Sequence, residues 1–200
     1  MKQVEVNKEA KLSEHFKLGE LTRSKSHPEV YNIPSHVHVE NLKRVCVWLE
    51  ALRERYNERY VLRGDTGGQV PKSRLAKAGG QVPKVEVFGE NFISRPDPEV
   101  ISRPDPEEPI IITSGYRSAE LNRKVGGVAT SNHLTGCAVD IRVAGKEQLI
   151  RYACILLDYA DETRQDFDEL LLEHGANGVI WLHFAVRAQG NRRKISFLKA

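Results

Sequence analysis

The side chains best suited to chemistry lie in one short segment, SNHLTGCAVD at residues 131–140. It holds a histidine, His133, and a carboxylate, Asp140, with Gly136 between them. Gly136 and the β-branched residues after it disfavour a helix and predict a tight turn that leads into a strand. On that strand Asp140 lies opposite the face formed by alternate apolar residues. An unpaired carboxylate in such surroundings is costly, so we expect Asp140 to bind a cation, with His133 as a second ligand.

A second histidine lies on a later predicted strand. In IWLHFAV, residues 180–186, the even-numbered residues are apolar and predict a buried face, so His183 lies on the opposite one. Two histidines and one carboxylate with an open fourth position are a usual catalytic zinc site, where zinc polarises a carbonyl and makes water more acidic. From the residues alone the metal site stays open. His183 could be a hydrogen-bonded core residue, and Asp140 could pair with Arg117 or Arg142.

The segment 131–140 matches the SxHxxGxAxD pattern of the M15 peptidases, which are zinc D-Ala-D-Ala carboxypeptidases and dipeptidases, at all five fixed positions. SGYRS at 114–118, followed by LN at 121–122, resembles the substrate-binding segment of that family. WLH at 181–183 resembles its WxH strand, and LSEHFKLGELTRS at 12–24 resembles the start of phage and bacterial members. The resemblance implies a fold similar to hedgehog and D-Ala-D-Ala peptidases.

The resemblance also implies roles for individual residues. It implies a Zn²⁺ ion with three ligands: His133, Asp140 and His183. It places Arg117 in the active site as a catalytic and substrate-binding group, where a guanidinium can bind a carboxylate or stabilise an oxyanion. Tyr116 and Ser131 are expected to bind substrate beside it. The alternative for Arg117 is a structural salt bridge.

The sequence departs from the family pattern at the position of the general base. Many members carry an acidic residue about three positions before the last histidine, but this chain has Gly178-Val179-Ile180 there. Glu173 is the predicted substitute, because a Gly-Ala-Asn-Gly turn separates it from the His183 strand and a hairpin could place it beside the metal. A carboxylate there can take a proton from water and pass it to the leaving amine. A solvated Glu173 and a proton-shuttle role for His174 are the alternatives.

The elements that must position these residues mix helices and strands without a regular βαβ repeat. The pattern therefore predicts an α+β fold with a small, mostly antiparallel sheet and flanking helices. Ser13 is expected to cap the short amphipathic segment 12–21, and Ser118 a short helix ending near 126–127. The predicted helices cover 36–60 and 146–160, and the predicted strands cover 110–113, 137–143, 170–173 and 179–186.

Residues 64–108 differ from the rest in composition. GGQVPK occurs at 67–72 and again at 79–84, and ISRPDPE occurs at 93–99 and again at 101–107. Frequent Gly and Pro exclude long helices, and two short duplications are too few for a solenoid. We interpret this stretch as an insertion without catalytic residues, either a loop or β-ribbons with a short strand near 85–88. The whole chain, 1–200, is then one domain.

The overall composition narrows the possible classes of function. The chain has 200 residues, 28% of them charged, and a net charge of +3, which is too small to indicate nucleic-acid binding. The sequence shows no signal peptide and no apolar stretch long enough to span a membrane, so we expect synthesis in the cytoplasm and release by another factor. Three cysteines without a CxxC pair indicate free thiols, and a monomer is expected.

The resemblance implies a peptidase that hydrolyses peptide bonds in peptidoglycan stems, as a carboxypeptidase or an endopeptidase. The missing leader and the opening segment favour a phage-type enzyme that acts at the bacterial cell wall. The alternative function is a wall-binding or phage structural module that keeps the fold with weak or no catalysis, suggested by the missing acid before His183.

Overall fold

A computed structural model describes residues 7–61 and 107–199, and the predicted insertion lies almost entirely outside these residues. Within them the chain forms four α-helices and five strands. The helices are α1 (Leu18–Thr22), α2 (His36–Tyr56), α3 (Ala119–Lys124) and α4 (Lys146–Thr163). The strands are β1 (Ile112–Ser114), β2 (Ala138–Arg142), β3 (Glu169–His174), β4 (Ile180–Ala185) and β5 (Lys194–Lys199).

The core forms where α2 and α4 pack against the sheet. Both helices bury an apolar stripe, and Ser35 caps the start of α2 by accepting a hydrogen bond from the His38 amide. Trp48 of α2 lies at the centre, with its ring 4.9 Å from that of Tyr159 on α4 and 5.2 Å from that of Phe184 on β4. This packing covers one face of the sheet with helices and leaves the opposite face for polar side chains.

The five strands form one sheet in the order β1-β2-β4-β3-β5. All neighbouring pairs are antiparallel except β3 and β5, which are parallel. A tight turn at residues 175–178 joins β3 to β4, with Gly178 at a φ of 79°. The prediction of an α+β fold with a mostly antiparallel sheet is confirmed.

Alternation along the strands separates two faces of the sheet. The residues buried against the helices are Leu170, Leu172, Leu182 and Phe184. The opposite face, called here the site face, carries Asp140 of β2, His183 of β4 and Glu173 of β3. Period-two patterning thus places the candidate chemistry on one side of the sheet, as predicted for Asp140 and His183.

Three local predictions are corrected by the structure. Ser13 does not cap a helix: α1 begins at Leu18, and the Ser13 hydroxyl donates instead to Glu50. The first strand begins at Ile112, two residues later than predicted. Strand β5 lies in a part of the sequence for which no strand was predicted.

Two further findings concern the cysteines and the helices. All three cysteines are free, Cys46 and Cys137 buried and Cys154 exposed. In the described residues, no helix combines the length and the apolar character needed to cross a membrane.

Candidate active site

A single 3₁₀ turn, Asn132–Thr135, presents His133 to the site face. Ser131 caps this turn, because its hydroxyl accepts a hydrogen bond from the His133 amide at 3.3 Å. Gly136 ends the turn in the left-handed region, with a φ of 71°, and directs the chain into β2. A Cβ at Gly136 would lie 2.7 Å from the carbonyl oxygen of His38, so the position also demands a small residue.

A backbone carbonyl fixes the His133 ring. Nδ1 of His133 donates to the Gly115 carbonyl oxygen at 2.6 Å, which leaves Nε2 as the atom with a free lone pair. Gly115 can occupy this place because it lacks a side chain: a Cβ there would lie 2.2 Å from the carbonyl oxygen of Leu21. The tautomer of His133 is therefore set by the segment that resembles the family's substrate-binding motif.

The other two candidate ligands are direct neighbours across β2 and β4, where Asp140 pairs with His183. Asp140 Oδ1 lies 3.2 Å from His133 Nε2 and 2.9 Å from His183 Nδ1. The candidate ligand atoms of all three residues lie within 4.8 Å of one another, and all three side chains are buried. The structure thus brings together the three residues predicted as metal ligands.

The electrostatics of this cluster suit a cation. Burial lowers the pKa of His133 despite the nearby Asp140 carboxylate, so Nε2 keeps its lone pair and faces an oxygen that also only accepts. Burial acts to raise the pKa of Asp140, but contacts with His133 and His183 hold it well below its usual range. Two electron-pair donors at short distance repel each other unless a positive ion lies between them.

The distances also fit a metal ion. Two ligand atoms that each lie about 2.0–2.1 Å from a tetrahedral zinc ion are about 3.3 Å apart. The separations of 3.2 and 2.9 Å around Asp140 Oδ1 are close to that value. Without metal, burial acts to lower the pKa of His183, but the nearby carboxylates of Asp140 and Glu169 raise it to about 9, so metal and proton compete for this ring.

Arg117 contacts the second oxygen of Asp140. Its Nη2 forms a very short ion pair with Asp140 Oδ2, and its Nε donates to the Ser114 hydroxyl at 2.8 Å. The guanidinium therefore holds the carboxylate so that Oδ1 points to both histidines. These contacts use Nε and Nη2, and Nη1 carries further donors that can meet a substrate. The predicted catalytic and substrate-binding roles of Arg117 stay predictions.

The two other predicted substrate-binding residues, Tyr116 and Ser131, have structural contacts next to the site. Tyr116 is 7% exposed and stacks on His38 with ring centroids 4.7 Å apart, so most of its side chain belongs to the core. Ser131 is the cap of the His133 turn. Both lie beside predicted active-site residues along the chain, and their contact with substrate stays a prediction.

Glu173, the predicted base, lies on the site face of β3 directly opposite Trp181, two residues before His183 on β4. Its side chain is partly buried; burial raises its pKa, and the Asp140 carboxylate acts in the same direction. His174 lies on the other face of β3, exposed, and lines a cavity of about 490 Å³ with Lys146 and Phe197. The hairpin thus brings Glu173, and not His174, to the side of the sheet that holds the metal cluster.

Sequence reasoning missed a set of polar residues behind the cluster. Glu169 lies on the site face of β3, with its Oε2 3.6 Å from His183 Nε2. Asn132 donates to both Glu169 and the fully buried Asp168, at 2.9 and 2.7 Å. The signal for Glu169 was its spacing of four residues from Glu173, which places both on one face of a strand.

Comparison with known proteins finds a family that part of this chain resembles. A family model described as Peptidase M15 matches residues 103–159, a stretch that contains His133, Asp140 and Arg117. No curated protein matched the sequence. This stretch of the chain is thus similar to the M15 peptidases.

Proposed function

We propose that this chain is a zinc-dependent peptidase of the M15 type that hydrolyses peptide bonds of peptidoglycan stem peptides, as a D-Ala carboxypeptidase or an endopeptidase. The observation that carries the proposal is the convergence of His133, Asp140 and His183 on a face that also presents Glu173. The first three would hold the ion, and zinc would supply a Lewis acid that polarises the scissile carbonyl and makes water more acidic.

Glu173 acts as the general base in this proposal. A carboxylate with a raised pKa is a stronger base than an exposed glutamate, and it can take a proton from water and return it to the leaving amine. It replaces the acid that many relatives carry before the last histidine. The corresponding residues here are Gly178 in the turn, Val179, which is 55% exposed, and Ile180 at the start of β4.

Arg117 stabilises negative charge that develops on the substrate. It already neutralises Asp140, and it lies between the Ser114–Ser118 segment and the histidine cluster. A guanidinium in a largely buried position can hold a terminal carboxylate or an oxyanion more strongly than it would in water. A stem peptide that ends in D-alanine offers both groups.

The assignment to peptidoglycan rests on the motifs at 114–118, 131–140 and 181–183 and on the family. The proposed site of action is the bacterial cell wall, the proposed active form is a monomer, and a phage-type enzyme agrees best with the opening segment.

Zinc stoichiometry and digestion of purified peptidoglycan test the proposal together. The wild type should bind one zinc ion and release either D-alanine or uncrosslinked stem peptides, which mass spectrometry distinguishes. His133→Ala should lose both zinc and turnover. Glu173→Gln should keep zinc and lose about 10²–10⁴-fold in kcat, because it removes only proton transfer.

A wall-binding module without catalysis is the second candidate, motivated by the missing acid before His183. It predicts that the wild type binds zinc and sediments with peptidoglycan but releases no product. Zinc binding without turnover would therefore overturn the peptidase proposal in favour of this one. Full activity in Glu173→Gln would overturn only the assignment of the base.

A further inference from the structure

We propose that Glu169 is a positioning residue for the metal centre: its carboxylate accepts the Nε2 proton of His183 and thereby keeps Nδ1 as the metal-binding atom. The inference rests on the proposed zinc site and names a residue that no family motif in the sequence indicated. It concerns how a ligand is oriented, and it assigns Glu169 no contact with substrate.

The two ring nitrogens of His183 differ in their surroundings. Its Nδ1 lies 2.9 Å from Asp140 Oδ1, while its Nε2 is buried and lacks a hydrogen-bond partner within the described residues. A buried N–H without an acceptor is energetically unfavourable. The Glu169 carboxylate lies 3.6 Å from Nε2, so a shift of about half an ångström completes the hydrogen bond.

Glu169 is fixed in that position by three donors. Asn132 Nδ2 lies 2.9 Å from its Oε2, and Arg192 and Lys194 lie 2.9 and 3.2 Å from its Oε1. The two cations engage one oxygen and leave the other directed toward His183. Because Asn132 directly precedes His133 in the 3₁₀ turn, the same carboxylate also braces the second histidine ligand.

The two histidines then differ in what holds them. His133 donates to a neutral carbonyl, that of Gly115, whereas His183 would donate to a carboxylate. A carboxylate partner makes an imidazole ligand more basic and fixes the ring, and losing such a partner typically costs 10–100-fold in metal affinity. We therefore expect metal affinity to depend on Glu169 even though it is not a ligand.

Zinc affinity, measured by competition with a chelating dye, tests the proposal. Glu169→Ala should bind zinc about 10–100-fold more weakly than the wild type, while Glu169→Gln should stay within about threefold, because its amide oxygen still accepts the proton. Glu147→Ala is the control, since it removes a glutamate carboxylate that is exposed on α4 and pairs with Arg151. It should change zinc affinity by less than about threefold because it lies outside the metal cluster.

A spectroscopic measurement separates positioning from a general loss of structure. In the Co²⁺-substituted protein, the ring N–H protons of both histidines should give exchangeable, paramagnetically shifted NMR signals. Glu169→Ala should abolish or broaden the His183 signal and retain that of His133. Glu169→Gln should keep both, and urea unfolding of the metal-free variants shows whether each variant folds.

The outcomes distinguish this inference from the proposed function. A wild type that binds no zinc would overturn both. Zinc binding that is unchanged in Glu169→Ala, or that falls equally in Glu169→Ala and Glu147→Ala, would overturn the role of Glu169 alone. A wild type that binds zinc tightly but does not hydrolyse peptidoglycan would overturn the proposed peptidase function and leave the inference intact.

Discussion

At the scale of single residues, Asp140 is the centre of the site. One of its oxygens faces both histidines and the other is held by Arg117, so each oxygen has a separate task. Arg117 can therefore act in two ways, by orienting Asp140 or by meeting the substrate. These roles affect different measurable quantities.

Replacing Arg117 with alanine distinguishes the two roles. If the guanidinium stabilises charge on the substrate, Arg117→Ala should lower kcat about 10²–10³-fold even when saturated with zinc. If it only orients Asp140, zinc affinity should fall and kcat at saturating zinc should stay near the wild-type value. Ser114→Ala is the control, since it removes only the contact to Nε and should change kcat less than about tenfold.

At the scale of elements, the turn before β2 determines where His133 lies. Gly136 has a positive φ and faces the carbonyl of His38, so two separate constraints act on it. Gly178 in the β3–β4 turn has a similar φ of 79° but open space where a Cβ would be placed. A comparison of Gly136 with Gly178 therefore separates the cost of backbone strain from the cost of steric overlap.

Alanine at the two positions should therefore destabilise by different amounts. Gly178→Ala should lower the free energy of unfolding by about 1–2 kcal/mol, the cost of a left-handed non-glycine residue. Gly136→Ala should cost about 1–3 kcal/mol more, because the helix backbone at His38 must move. Urea unfolding measures both, and equal losses would contradict the steric argument. Gly136→Ala should also weaken zinc binding, whereas Gly178→Ala should not.

The sequence predicted those elements whose pattern is local. Period-two alternation places Asp140 and His183 on one face, and the spacing of apolar residues predicted α2 and α4. Strand β5 was missed because it buries no apolar face and its parallel partner lies in a separate part of the sequence. Glu169 was missed for a related reason: it resembles a solvated acid until Asn132, Arg192 and Lys194 are brought to it by the fold.

At the scale of the whole molecule, Asp168 joins the C-terminal segment to the site. Its side chain is fully buried and accepts hydrogen bonds from Arg192 at 2.8 Å and from Asn132 at 2.7 Å, with Arg187 3.0 Å away. Burial acts to raise the pKa of Asp168, but these partners lower it below the usual range. Its charge therefore stabilises the folded chain.

The sign of the pH dependence follows from that lowered pKa. Asp168 contributes its full stabilisation above the unfolded pKa of about 3.9, and the contribution is lost as the pH falls through the lower folded value. Asp168→Asn should lower the free energy of unfolding at pH 7 by about 1.5–3 kcal/mol, and its deficit should shrink below about pH 4. Asp161→Asn, at an exposed ion pair with Arg193, should cost less than about 1 kcal/mol. A deficit that does not change with pH would contradict the assignment.

The side chain of Asn57 has a consequence for how this protein can evolve. Asn57 is buried at the end of α2, donates to the carbonyl of Glu108 at 3.1 Å and accepts from its amide at 2.7 Å. One side-chain amide thus links the chain before residues 62–106 to the chain after them. This link does not involve residues 62–106 themselves. Tandem duplication or deletion of coding sequence in that interval can lengthen or shorten the chain while the helices, the sheet and the histidine cluster keep their places. Both GGQVPK copies and nearly all of the ISRPDPE pair fall in this interval.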